Sequence, residues 1–186
     1  MKKTLMILSA VFAFGIAANA QEGEKTSSSS ESIKFGVKAG LNMTNFTGDN
    51  VNTDAKAGIY LGGLVDFAVT DKFHVQPELM YSMEGADNDL GISYVRVPIM
   101  AKYYIVEGFN VQAGPEVAFK VATEEDVFDE MTKSVDFGIG AGAGYEMSNG
   151  LMFDARFNLG LSNIYDGPGN GEIFNTGFQV GLGYRF

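Results

Sequence analysis

The 186-residue chain carries one imidazole, His74, so any histidine-dependent hydrolase or acyltransferase chemistry would have to run through that ring. No serine and carboxylate are arranged around it by spacing. The ordinary alternative is a structural histidine with a satisfied hydrogen bond, and no catalytic residue is assigned. The densest acidic run, Thr123-Glu124-Glu125-Asp126-Val127-Phe128-Asp129-Glu130, has the carboxylates to hold a divalent cation. Its spacing matches no EF-hand loop, and a solvated, self-repelling surface loop accounts for it more simply. The glycines at alternate positions from Gly138 to Gly144 lie in a strand-like pattern with no helix behind them, so they form no phosphate-binding loop. No metal and no cofactor is expected. With no cysteine in the chain, there is neither a lipobox nor a disulfide to staple the fold.

The remaining charges recur with period two. Asp66, Glu78, Glu116, Asp136, Glu146 and Asp154 each alternate with apolar neighbours, as do Lys34, Lys38, Lys56, Arg96, Lys102, Lys120, Arg156 and Arg185. Side chains on a strand alternate between two faces, so such segments read as strands with one apolar and one polar face. Eight are found: Ile33 to Asn45, Lys56 to Val69, Phe73 to Met83, Ser93 to Ile105, Phe109 to Val121, Val135 to Glu146, Leu151 to Ser162 and Phe174 to Phe186. The last is the most regular. Phe174, Thr176, Phe178, Val180, Leu182, Tyr184 and Phe186 share one parity, while Asn175, Gly177, Gln179, Gly181, Gly183 and Arg185 share the other. A strand that long and apolar suits a closed transmembrane barrel with lipid outside and a polar lumen inside. Pro77, Pro98 and Pro115 conflict with a regular ladder, because proline lacks the donor, and bulges or bends are expected there.

The expected fold is therefore all-β, an eight-stranded antiparallel up-and-down transmembrane barrel spanning 33–186, with strand eight closing on strand one. Tight turns at Thr70-Asp71-Lys72, Val106-Glu107-Gly108 and around Ser148-Asn149-Gly150 alternate with longer loops at 46–55, 84–92, 122–133 and 163–173. Short turns belong to the periplasmic end. There, one apolar-face aromatic per strand, Phe35, Phe67, Phe73, Tyr103, Phe109, Tyr145, Phe153 and Tyr184, forms a girdle at the membrane interface. Tyr81, Phe119 and Phe137 are candidates for a thinner girdle opposite.

Ahead of the barrel, Lys2 and Lys3, an apolar run from Leu5 to Ala18 and the small-x-small Ala18-Asn19-Ala20 make residues 1–20 a secretory signal peptide. Residues 21–32, polar and serine-rich, read as a flexible periplasmic tail. Removing the signal takes away two of the 13 Lys and Arg, leaving 11 against 23 Asp and Glu, a formal charge of −12. Nucleic acid is not a partner at that balance. Twelve acids fall in the four long loops, against Lys133 alone. Outer-membrane lipid and lipopolysaccharide are the expected surroundings, and cations bridging the acidic loops to lipopolysaccharide are one use for those acids. An interior barely wide enough for side chains should fill with paired charges, and glycines facing in on strands six and eight should make room for long Lys and Arg side chains.

Gly36-Val37-Lys38-Ala39-Gly40-Leu41-Asn42, Val75-Gln76-Pro77-Glu78-Leu79-Met80-Tyr81-Ser82, Val95-Arg96-Val97-Pro98-Ile99, Gly114-Pro115 and the ending Gly181-Leu182-Gly183-Tyr184-Arg185-Phe186 resemble the outer-membrane β-barrel domain family of Bacteroidota, sometimes called PorT-like. The resemblance covers essentially all of 21–186. It implies an eight-stranded barrel and a porin-type family with no established enzymatic activity. The first functional expectation is a non-enzymatic cell-envelope protein that stabilises the outer membrane or scaffolds an envelope partner. A narrow channel for small solutes and a lipid-modifying enzyme dependent on His74 are the alternatives, and a soluble lipocalin-like barrel is the alternative fold. Tyr184 and Phe186 are expected to be read by the barrel-assembly machinery.

Overall fold

The computed structural model describes residues 33–48, 53–86, 90–123, 132–166 and 171–186. The expected signal peptide over 1–20, the expected tail over 21–32 and most of the acidic run lie outside the described residues. The alternating segments form eight strands: β1 (Ile33–Gly48), β2 (Lys56–Ala68), β3 (Phe73–Ala86), β4 (Leu90–Tyr104), β5 (Phe109–Thr123), β6 (Val135–Glu146), β7 (Leu151–Gly160) and β8 (Ile173–Arg185). Each pairs antiparallel with its neighbours in chain order, and β8 returns to β1 to close the barrel. The closing ladder runs from Gly36↔Arg185 to Gly48↔Ile173, and beyond it the Phe186 amide donates to the Phe35 carbonyl at 2.8 Å. Closure leaves no free sheet edge.

The two faces separate as the parity requires. On the outer face Leu41 is 60% exposed, whereas Asp66 on the inner face is 0% exposed. This is the inverse of a lipocalin-like barrel, which keeps its apolar residues inside.

Several boundaries differ from the sequence reading. β1, β3 and β5 run beyond Asn45, Met83 and Val121, and β4 begins before Ser93, so the predicted 84–92 loop is mostly strand. Cross-strand bonds hold these extensions: the Thr44 hydroxyl donates to the Gly85 carbonyl at 2.9 Å and accepts from the Gly85 amide at 2.8 Å. β7 is shorter than expected, because Leu161 and Ser162 leave the ladder and bond the Phe137 carbonyl through their amides.

The prolines do not produce the expected bulges. Pairing stops at Leu64↔Glu78 and resumes at Phe67↔Val75 around Pro77, stops at Pro77↔Ile99 and resumes at Met80↔Arg96 around Pro98, and skips Pro115 between Pro98↔Glu116 and Ala101↔Ala113. Each gap leaves the register unchanged, and Pro77 and Pro115 keep their place on the opposite ladder as Pro77↔Ile99 and Pro115↔Ile139. A missing donor thus removes rungs on one side without shifting the strand. The register shift in the β4–β5 ladder lies elsewhere, between Ser93 and Tyr94.

At the long-loop end the interior turns apolar. Phe46, Ala86, Ile92, Tyr94, Ala118 and Ile164 form a buried cluster with Ile173 against it. Ile164 comes from the connection between β7 and β8, so this segment folds into the mouth instead of standing off it.

Candidate functional site

The candidate site is the lumen, where inward parity delivers charged side chains from every strand into a space too narrow for water to hydrate them. They sort into three tiers along the axis. At the short-turn end, Asp66 accepts from His74 Nδ1 at 2.6 Å and lies 3.4 Å from Lys102 Nζ and 3.7 Å from Arg185. Lys102 also pairs with Glu146 and donates to Gln76 Oε1 at 3.0 Å, while Arg185 reaches the other Glu146 oxygen at 2.7 Å. His74 packs against Tyr104 with ring centroids 4.7 Å apart. The imidazole is thus held between the Asp66 carboxylate and the Tyr104 ring.

In the middle tier Arg156 grips Glu78 with two nitrogens at 2.8 and 2.5 Å and donates to Gln112 at 2.8 Å. Lys38 meets Asp154 at 2.7 Å and Glu78 at 4.0 Å. Gln76 ties the two tiers together, donating to Glu78 at 2.7 Å while it accepts from Lys102. In the upper tier Arg96 forks onto both oxygens of Glu84 at 2.5 Å and onto Glu116 at 2.6 Å, and Asn175 donates to Glu84 at 2.7 Å. Asp136 accepts from the Ser162 hydroxyl at 2.7 Å. Paired guanidinium and carboxylate groups of this kind offset the cost of burying each other's charge, and removing one partner exposes the full cost.

Of the fourteen expected lumen charges, Lys38, Asp66, Glu78, Arg96, Lys102, Glu116, Glu146, Asp154, Arg156 and Arg185 come together in ion pairs. Lys34 does not. It is exposed at the first turn of β1, and although it sits opposite Asp66, that carboxylate is already met by His74, Lys102 and Arg185. Lys56 and Lys120 stand half-buried toward the long-loop rim, with Lys120 Nζ on the Thr132 carbonyl at 2.6 Å.

Glu84, placed in a loop by the sequence reading, is instead a buried member of the upper tier. It shares parity with Glu78 and Ser82, so extending the alternation past Met83 would have found it. The inward tyrosines Tyr60 and Tyr94, buried, and Tyr104, half-buried, were also missed; they lie beside Lys38, Arg96 and Lys102 with cation-to-ring distances of 5.8, 5.4 and 5.5 Å. Tyr60 accounts for one of the inward glycines, and uncharged neighbours for others. A Cβ on Gly181 would run into the Tyr60 hydroxyl, and one on Gly144 would lie 3.2 Å from the Asn110 amide. The cationic side chain near that same Gly181 position is Lys38, at 3.2 Å, and it comes from the neighbouring β1 and not from across the barrel as expected.

Between the middle and upper tiers a void bordered by Tyr60, Glu78, Arg96, Glu116 and Arg156 measures about 10 Å³, room for one water. Among the described residues no three carboxylate, imidazole or thiol groups come together as metal ligands. On the outside, all eight aromatics Phe35, Phe67, Phe73, Tyr103, Phe109, Tyr145, Phe153 and Tyr184 are exposed at the short-turn end. Phe73 is paired with Tyr103, and Tyr145 lies between Phe109 and Phe153.

The family model of the outer membrane protein beta-barrel domain matches residues 19–166. The chain belongs to this family. Its location is accordingly the outer membrane, which accounts for an apolar exterior around a polar lumen. Among solved structures, Neisserial surface protein A matches with a TM-score of 0.60 at 10% identity, over 82% of this chain and 97% of that one. Ail, the attachment invasion locus protein of Yersinia pestis, matches with a TM-score of 0.53 at 16% identity, over 82% and 98%. Ail in complex with the heparin analogue sucrose octasulfate matches at 0.50 and 16%, over 83% and 99%. At these identities the likeness is one of fold. No curated protein sequence matches the chain.

Proposed function

We propose that this outer-membrane barrel is a closed structural element that stabilises the envelope or carries a partner on its loops, and is neither a channel nor an enzyme. The observation that carries this reading is the filling of the lumen: three tiers of interlocked ion pairs, an apolar cluster at one mouth and a void for a single water. A solute would have to displace paired, desolvated charges, each costing several kcal/mol to uncouple. Liposomes loaded with the protein should swell no faster in small sugars than empty liposomes. Swelling that falls with sugar size would support the narrow-channel reading.

His74 as a catalytic base has less in its favour. Its Nδ1 is tied to Asp66 and its ring lies at the short-turn end against Tyr104. Unchanged envelope lipids in a His74→Ala strain are the expected result. The sequence features of the PorT-like branch, a cleaved signal over 1–20, a periplasmic tail over 21–32 and export followed by insertion through the barrel-assembly machinery belong to the same reading. The aromatic ring would then sit at the periplasmic interface, with lipopolysaccharide around the long-loop end. Ail was crystallised with a sulfated heparin analogue, but the long loops here keep eleven acids once Glu84 is counted in the lumen, against Lys133 alone. A polyanion is therefore a poor ligand for them, and a cationic or cation-bridged partner suits them better. Crosslinking in cells from the long loops and from the tail, read by mass spectrometry, would identify such a partner.

A further inference from the structure

Asp136 stands apart from the other lumen acids. Its side chain is 2% exposed, its hydrogen-bond partner is the Ser162 hydroxyl at 2.7 Å, and among the described residues no base lies within ion-pair distance of it. The groups facing it make the situation worse. From β3 comes Glu84, already gripped by Arg96, and from β5 comes Glu116 on the same guanidinium. Arg96 of β4 is engaged with both, Tyr94 of β4 is a buried phenol beside Arg96, and Lys120 of β5 turns its ammonium to Thr132. Ala118, opposite Asp136 on β5, belongs to the apolar cluster that closes over the tier. Arg96 is the one cation whose charge Asp136 would feel, and it is already shared by two other carboxylates; a third buried carboxylate beside them is too costly to keep ionised, and such a group takes up a proton instead. A metal ion is the other possible counter-charge, and among the described residues no set of three carboxylate or imidazole ligands gathers to hold one.

We propose that Asp136 holds a proton at neutral pH, and that the Asp136–Ser162 pair is a proton-held latch for residues 161–166, where the chain leaves β7. Ser162 is fixed from a second side, its oxygen accepting the Phe137 amide at 2.9 Å. Two residues on, Ile164 is 1% exposed in the apolar cluster, its carbonyl accepting from the Lys133 amide and its amide donating to the Ile173 carbonyl, both at 2.8 Å. A neutral acid and a hydroxyl share one uncharged hydrogen bond under this cover. When solvent hydroxide removes the proton, a charge is left beside Glu84 and Glu116 and beneath Ile164, and the segment is expelled from the mouth.

Infrared spectra of the folded barrel in detergent at neutral pH should contain the C=O stretch of a protonated carboxylic acid. That band should vanish in Asp136→Asn, an isosteric change that keeps the Ser162 contact, and should survive in Asp71→Asn, at an exposed turn far from the tier. Because the chain has no cysteine, a single spin label at exposed Asp166→Cys reports the segment. It should be immobile at neutral pH in both backgrounds and become mobile at alkaline pH only where Asp136 is retained. Absence of the band, its persistence in Asp136→Asn, a neutral-pH spectrum that depends on sodium or calcium, or equal alkaline loosening in both backgrounds would each overturn the proposal.

Discussion

Arg96 holds two buried carboxylates at once, and that arrangement makes it the most consequential single side chain in the lumen. Replacing it by alanine leaves Glu84 and Glu116 without their cation, a loss of about 3–5 kcal/mol, so the heat needed to convert the compact gel form to the unfolded one should fall sharply. Lys34→Ala is the matched control: the side chain is exposed and joins no ion pair among the described residues, and a change within about 0.5 kcal/mol is expected. Tyr60 and Gly181 make a tighter pair. Gly181→Ala drives a methyl into the Tyr60 hydroxyl and should destabilise the barrel, by about 1–3 kcal/mol. Tyr60→Phe removes that hydroxyl, which has no hydrogen-bond partner in the lumen, and should restore much of the loss when combined with Gly181→Ala. Additive effects in this double-mutant cycle would contradict the contact.

The strands were legible in the sequence wherever alternation was unbroken, and their ends were not. Parity alone placed Phe174 to Phe186 against Ile33 to Asn45, and the observed ladder agrees. Apolar parity ended at Met83, where the outer face leaves the membrane, yet inward pairing continues through Glu84 and Gly85 because Thr44 and Arg96 hold them from other strands. Contacts of 41 and 12 residues' separation have no local signature. The same holds for Lys34, whose inward parity does not reveal that Asp66 is already taken. The consequence at this scale is that backbone amides through Gly85 should exchange slowly, as strand amides do. Thr44→Val removes both bonds to Gly85, each worth about 1 kcal/mol, and should speed exchange of that amide about tenfold or more. β8 makes a separate prediction. The Phe186 amide bonds Phe35, and its ring meets Tyr184 edge-on at 5.4 Å. Deleting Phe186 should slow insertion in cells while leaving refolding in detergent largely intact; normal assembly in cells would argue against the proposed signal at Tyr184 and Phe186.

At the scale of the whole molecule, the described residues combine an apolar shell, three interlocked charge tiers and an apolar cluster at the long-loop mouth, and the proposed closed barrel rests on that filling. The two ends differ. The short-turn end carries His74, Tyr104 and paired charges, while the long-loop end carries Ile164 and its neighbours. On the closed-barrel proposal, conduction requires breaking all three tiers. Single-channel recording of the purified protein in planar lipid bilayers tests this most directly. The expected record stays at the baseline of the bare bilayer across the voltage range it tolerates. Reproducible unitary current steps that scale with protein and are absent from mock preparations would contradict the closed-barrel account.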